Sequence, residues 1–245
     1  MGSVASDKAV RLWVVLAAIM ITSAVVAELV SVKLFQVPFY AWLGIHTPFT
    51  LTCGALLWPL VFLTTDTINE FFGSRAVRFV TWVTMAMIGW TFLVANLSIP
   101  IEGAPFSPVN DEVFRQVFGQ SSWIIAGSMA AFLLSQLVDV TVFHAIRRRL
   151  QGRHIWARAT GSTLVSQLID SFVVIYIAFY GPTLLGQPQG VSFVQAGNIA
   201  LSSFAYKVGV AIALTPMIYV AHWVVHRWLG DNLAHRMAEE AAATS

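Results

Sequence analysis

Apolar residues recur in runs of near twenty along the whole chain, with short polar breaks between them. No ten-residue segment alternates apolar and polar positions as a membrane barrel strand would. Twenty apolar residues are what a helix needs to cross a hydrocarbon core of about 30 Å. Lipid offers the backbone no water, so each run is read as a helix that satisfies its own peptide groups. The runs predict helices over about 10–32, 49–71, 77–98, 123–146, 155–180 and 197–228. The expected fold is an all-α membrane protein with six transmembrane helices in one domain over residues 1–230.

The polar breaks carry weaker signals. Pro100, Pro105 and Pro108 make the first half of the longest connection irregular. Asn110 to Phe118 predicts a short interfacial helix led by Asn110 and Asp111. Asp231 to Ser245 is polar and Ala-rich and reads as a frayed cytoplasmic tail. Pro59 and Pro216 are expected to interrupt the second and sixth helices and free a backbone carbonyl at each.

Composition agrees with a lipid-facing surface. Only 11% of residues are charged and 57% are hydrophobic, against roughly 25% charged in a soluble domain. Six spans consume about 120 residues, which leaves no room for a separate soluble domain. Cys53 is the single cysteine, so an intrachain disulfide or cysteine-rich metal site is excluded. The first apolar run lacks a small-residue cleavage site and reads as a retained helix.

Lys and Arg set the expected orientation. Lys8 and Arg11 precede the first span, and Arg75 and Arg78 separate the second and third. Arg147, Arg148, Arg149, Arg153 and Arg158 separate the fourth and fifth, and Arg227 and Arg236 follow the sixth. The alternate connections are poor in basic residues, with Lys33 in one and Arg115 among acids in another. Both termini are therefore expected in the cytoplasm. Trp13, Trp42, Trp123, Trp156, Trp223 and Trp228 fall near span ends as interfacial anchors.

Ionisable residues within spans are costly and point to function. The candidates are Glu28, Asp66, Glu70, Asp139, Asp170 and Lys207, with Asn69, Gln136 and Gln167 beside them. Asp66 and Glu70 are four apart and share a helix face. Gln136 and Asp139 are three apart, as are Gln167 and Asp170, inside a short repeat of Ser135–Asp139 at Ser166–Asp170. Its copies fall on helices of opposite direction, which suits an inverted arrangement around one site. A polar strip between the second, fourth and fifth helices is expected, with Lys207 as its buried cation, balancing Asp66, Asp139 or Asp170.

Structural readings stand beside these. Glu70 could pair with Arg75, Glu28 with Lys33, and Asp139 with Arg147. Gln136 and Gln167 could be interhelical glue. His46, in a loop, is incidental on this view. Carboxylates and carboxamides suit a planar heterocycle with a donor–acceptor edge, and Trp58, Phe62, Tyr176, Phe179 and Tyr206 offer faces for stacking. The residues alone point to a small polar solute, neutral or cationic, with no metal and no cofactor.

Four regions carry a resemblance. Leu43-Gly44-Ile45-His46-Thr47 is followed by Trp58-Pro59-Leu60-Val61-Phe62-Leu63-Thr64-Thr65-Asp66 and Phe72-Gly73. Gln136-Leu137-Val138-Asp139-Val140-Thr141-Val142-Phe143 leads to Arg147. Ser162-Thr163-Leu164 leads to Asp170, and Tyr206-Lys207-Val208 to Pro216. These segments resemble the bacterial queuosine precursor transporter family, also called the vitamin uptake transporter family. The resemblance implies a multi-pass protein of the bacterial inner membrane. It implies import of 7-cyano-7-deazaguanine and 7-aminomethyl-7-deazaguanine for queuosine in transfer RNA, with no nucleic acid bound and a homo-oligomer compatible with the sequence. Two other classes remain open. A substrate-binding subunit could dock on a separate ATP-driven module, because the chain has no P-loop motif. An intramembrane enzyme is disfavoured by the lack of H-E-x-x-H or a nucleophile paired with histidine.

Overall fold

Long apolar stretches become long helices in the computed structural model, which describes residues 2–37, 49–119, 122–150, 155–186 and 191–243. The elements are α1 (Gly2–Val30), β1 (Leu34–Val37), β2 (Phe49–Thr52), a 3-10 turn (Cys53–Leu56), α2 (Trp58–Ser98), α3 (Asp111–Phe118), α4 (Ser122–Arg149), α5 (Ile155–Ile175), a π-helical turn (Tyr176–Tyr180), α6 (Gly181–Leu184), α7 (Phe193–Leu229) and α8 (Asp231–Ala243). Among the described residues, five helical stretches are long and apolar enough to cross a membrane: Asp7–Val30, Trp58–Ser98, Ile124–Arg149, Ala159–Leu184 and Phe193–Leu229. The His46 loop with Leu43–Thr47, Trp42 and Arg153 lie outside the described residues, as do the side chains of Trp123, Trp156 and Arg158.

The second and third expected helices form one element, α2, broken at Gly73. Gly73 has φ 79° and ψ 175°, a backbone state that side chains with a Cβ avoid. Val61 and Ile68 before the break share a core cluster with Val77, Val80, Ile88 and Phe92 after it, together with Ala17, Met20 and Ala24 of α1. The helix is therefore kinked at one residue, and both limbs contribute to one core with α1.

Several expectations are corrected. Residues 49–57 are not helical: Phe49–Thr52 pairs antiparallel with Leu34–Val37, with Phe35 opposite Leu51. The fold thus carries a two-stranded ribbon as well as helices. Pro59 does not interrupt a helix but sits in the first turn of α2, where its missing N–H costs nothing. α7 continues through Pro216. The turn before α2 lies tight on α1, because a Cβ on Gly54 would meet the Ala27 carbonyl oxygen at 2.3 Å. The short helix at Asp111–Phe118 forms as expected, with the Asn110 side chain accepting from the Val113 N–H at 2.8 Å.

Asp231–Ala243 is a helix, not a frayed segment. Ala234 is fully buried in a cluster with Leu12, Phe71, Val225 and Leu229, against which Leu233 and Met237 also pack. Its alanines allow close approach to the Gly73 end of α2, which makes α8 part of the packed structure.

Candidate functional site

Seven consecutive residues of α2, Thr64-Thr65-Asp66-Thr67-Ile68-Asn69-Glu70, are all buried. A helix buried on every side is normally apolar; this one is polar at six of those seven positions. Three threonines return their hydroxyls to the helix, Thr64 to Leu60, Thr65 to Val61 and Thr67 to Leu63. Each turn thereby satisfies its own hydroxyls and leaves Asp66, Asn69 and Glu70 to meet the surrounding helices.

α4 supplies most of those meetings. The Gln136 amide donates to Thr65 Oγ1 at 3.3 Å. His144 Nε2 lies 3.0 Å from Asn69 Oδ1, a contact in which the ring nitrogen donates. Arg147 is buried, with Nη2 3.7 Å from Glu70 Oε1 and Nη1 donating to the Glu70 carbonyl at 3.4 Å. Its Nη2 also donates to the Ala238 carbonyl of α8 at 2.5 Å. Arg147 therefore ties α2, α4 and α8 together. Arg75 is exposed, so the Glu70–Arg75 alternative is replaced by Glu70–Arg147. Lys207 is not the sole cation held within the bundle.

Beside this segment lies a small, partly open pocket with a cavity volume of about 20 Å³. It is lined by Asp66, Thr67, Glu70, Phe71, Phe143, Ala159, Ile218 and His222. Two carboxylates one turn apart thus face three ring systems from α2, α4 and α7. Phe71 and His222 rings lie 5.2 Å apart, and His222 stacks on His226 at 4.4 Å. Such a chamber offers acceptors for N–H donors and flat faces for a heteroaromatic ring.

The other expected residues divide into two groups. Asp139 is surrounded by the hydroxyls of Ser162, Thr163 and Ser166, the last at 3.2 Å. These bonds, not Arg147, hold it between α4 and α5. Asp170 forms an ion pair with Lys207, so α5 is clamped to α7. Glu28 accepts from Ser128 at 2.5 Å, not from Lys33. The aromatic candidates fall elsewhere: Trp58 stacks on Phe62 at 6.0 Å and packs on Phe132, Tyr206 is half-buried on α7, and none of the three lines the cavity. Tyr176 stacks on Phe172 near the opposite end of α5, and Phe179 is exposed. His144, His222, Phe71 and Phe143 are the residues that sequence reasoning misses. The His222–His226 spacing of four is the available signal, masked by the apolar run around it.

The Asp170–Lys207 pair leads to a direct expectation. Lys207→Met should lower the unfolding midpoint and uptake, because an acid in a span loses its counter-ion. The double variant Lys207→Met/Asp170→Asn should recover stability relative to the single one. Thermal unfolding in detergent checks this, and equal midpoints for single and double variants would show that the pair contributes nothing.

A family model described as "Putative vitamin uptake transporter" matches residues 52–221. The "Probable queuosine precursor transporter" of Bacillus subtilis (strain 168) is 32% identical over 174 residues, covering 70% of this chain and 72% of the relative. The "Queuosine precursor transporter" of Escherichia coli (strain K12) is 28% identical over 180 residues, covering 72% and 73%. A relative from Haemophilus influenzae (strain ATCC 51907 / DSM 11121 / KW20 / Rd), named like the first, is 30% identical over 136 residues, covering 54% and 53%. No solved structure matches the chain. With membrane-length helices and with these relatives, the chain belongs to the vitamin uptake transporter family and is a multi-pass transporter of the bacterial cytoplasmic membrane.

Proposed function

We propose that this transporter imports 7-deazaguanine bases, 7-cyano-7-deazaguanine and 7-aminomethyl-7-deazaguanine, for queuosine in transfer RNA. The relatives, named as queuosine precursor transporters, support the substrate class. The observation that carries it here is the cavity with Asp66 and Glu70 among the rings of Phe71, Phe143 and His222. The ring N–H and 2-amino group of a guanine edge are adjacent donors, and one carboxylate accepts both. Asp66 is assigned that role, since it lines the pocket beside Phe71, Phe143 and His222 and ends the Trp58–Asp66 segment that carries the family resemblance. Adenine presents an acceptor at the matching position and would leave the buried carboxylate unsatisfied.

The proposed topology has six crossings and both termini in the cytoplasm. α2 as a straight rod of 41 residues would be about 62 Å long, twice the hydrocarbon thickness, so its two limbs on either side of Gly73 each count as one crossing. Arg75, Arg78 and Arg147 to Arg149 gather at the end of the bundle where α8 packs, which is the cytoplasmic side by charge.

A strain that cannot make the base tests the function. Supplied with low external 7-cyano-7-deazaguanine, it should regain queuosine in its transfer RNA only when this protein is expressed. Failure of the modification to return, or equal competition by adenine, would overturn the substrate assignment.

A further inference from the structure

The Gln-x-x-Asp repeat places two carboxamides at matching positions, and their bonding is unequal. α4 and α5 run antiparallel, with Asp139 against Ser166 and Gly127 against Val174 and Ala178. That register brings Gln136 within a helical turn of Gln167. Gln136 is buried and donates to Thr65 of α2. Gln167 is equally buried, at 2% exposure, but neither its Oε1 nor its Nε2 has a hydrogen-bond partner among the described residues. Ser171, four residues on and fully buried, has an unpartnered Oγ as well. Positions four apart share a helix face, so three polar atoms without partners fall on one face of α5. Buried polar atoms are almost always satisfied, and each one left unmade costs stability.

The geometry points to a second ligand station at Gln167 and Ser171, separate from the cavity beside Asp66. Along α5 the order is Ala159 in the cavity, then Ser162, Thr163 and Ser166 around Asp139, then Gln167 and Ser171. Eight residues separate Ala159 from Gln167, a rise of about 12 Å, too far for one base to touch both. The Asp139 clasp lies between them, and Asp170, paired with Lys207, borders the station. A carboxamide presents one donor and one acceptor side by side, and it complements a cis-lactam edge, an N–H beside a C=O. The ligand of this station is a neutral planar heterocycle with such an edge. Since the deazaguanine bases have it at N1 and C6, this inference rests on the substrate class proposed above. A solute entering from the ribbon side meets the carboxamide before it reaches Asp66 and Glu70. A carboxamide can turn over to match either polarity, so this station accepts rings broadly and leaves discrimination to Asp66.

The test measures affinity and stability together on the full-length protein in lipid nanodiscs. Gln167→Leu, Ser171→Ala and Gln136→Leu are compared with the unmodified protein, using 7-cyano-7-deazaguanine as the binding probe. A station kept for ligand predicts that Gln167→Leu raises the ligand-free unfolding midpoint and weakens binding about tenfold, by loss of two hydrogen bonds. Ser171→Ala should weaken binding severalfold without lowering the midpoint. Gln136→Leu, which breaks a made bond, should lower the midpoint. A lowered midpoint for Gln167→Leu, or affinity within twofold of the unmodified protein for both α5 variants, overturns the station. If the unmodified protein does not bind the probe, the deazaguanine reading fails instead. The midpoints then still decide: a rise for Gln167→Leu retains the station for another lactam-like ring, and a fall removes it.

Discussion

Arg147→Met is expected to be the most damaging single substitution in the chain, with folded protein in detergent extracts largely lost. The guanidinium is buried and serves the Glu70 carboxylate, the Glu70 carbonyl and the Ala238 carbonyl together. Removing one partner of a buried ion pair costs about 3–5 kcal/mol, because the remaining charge is stranded. Here the loss also releases a carbonyl on α8, so protection of α8 from proteolysis should fall with the midpoint. Arg147→Lys should rescue only partly, since an ammonium cannot present a planar fork to several oxygens. Size-exclusion profiles and unfolding midpoints check this; a wild-type midpoint for Arg147→Met would show that α8 and Glu70 are held by other means.

Asp66→Asn is expected to reduce uptake on the order of a hundredfold, the upper range for a hydrogen bond to a charged group. The substitution preserves volume but replaces one acceptor oxygen with a donor, which then faces the donors of a guanine edge. Because Asp66 lies in a fully buried stretch of α2, stability must be read in parallel. A folded protein that no longer accumulates the base, and binds it weakly when purified, is the expected result. Uptake near the unmodified level would remove Asp66 from the site and leave the cavity to Glu70 and His222.

Several features are legible in the amino-acid sequence. Apolar run length dictates membrane-length helices, since the hydrocarbon core fixes how many residues a span needs. Asp66 and Glu70 stand out because charge is rare in such runs, and both line the cavity. The pairing of Lys207 with an acid follows from the cost of a lone ammonium, although which of three acids it meets does not. The helix at Asp111–Phe118 is readable from its Asn cap, a purely local signal.

Other features depend on contacts between residues far apart in the chain. The ribbon at Leu34–Val37 and Phe49–Thr52 draws its hydrogen bonds from a distant segment, and nothing within Phe49–Thr52 distinguishes strand from the start of an apolar helix. Arg147 sits among basic residues that read as a cytoplasmic run, and only packing of α8 over α2 turns it inward to Glu70. The ring system of the cavity comes from three helices, so no spacing along the chain could assemble Phe71, Phe143 and His222. Helical periodicity and hydrophobicity act within a turn or a span, and they set which segments enter the membrane and which faces are polar. Which polar group meets which is decided by helix packing, where the 71-residue separation of Gln136 from Thr65 is no barrier and Gln167, on a matching repeat, is left without a partner among the described residues.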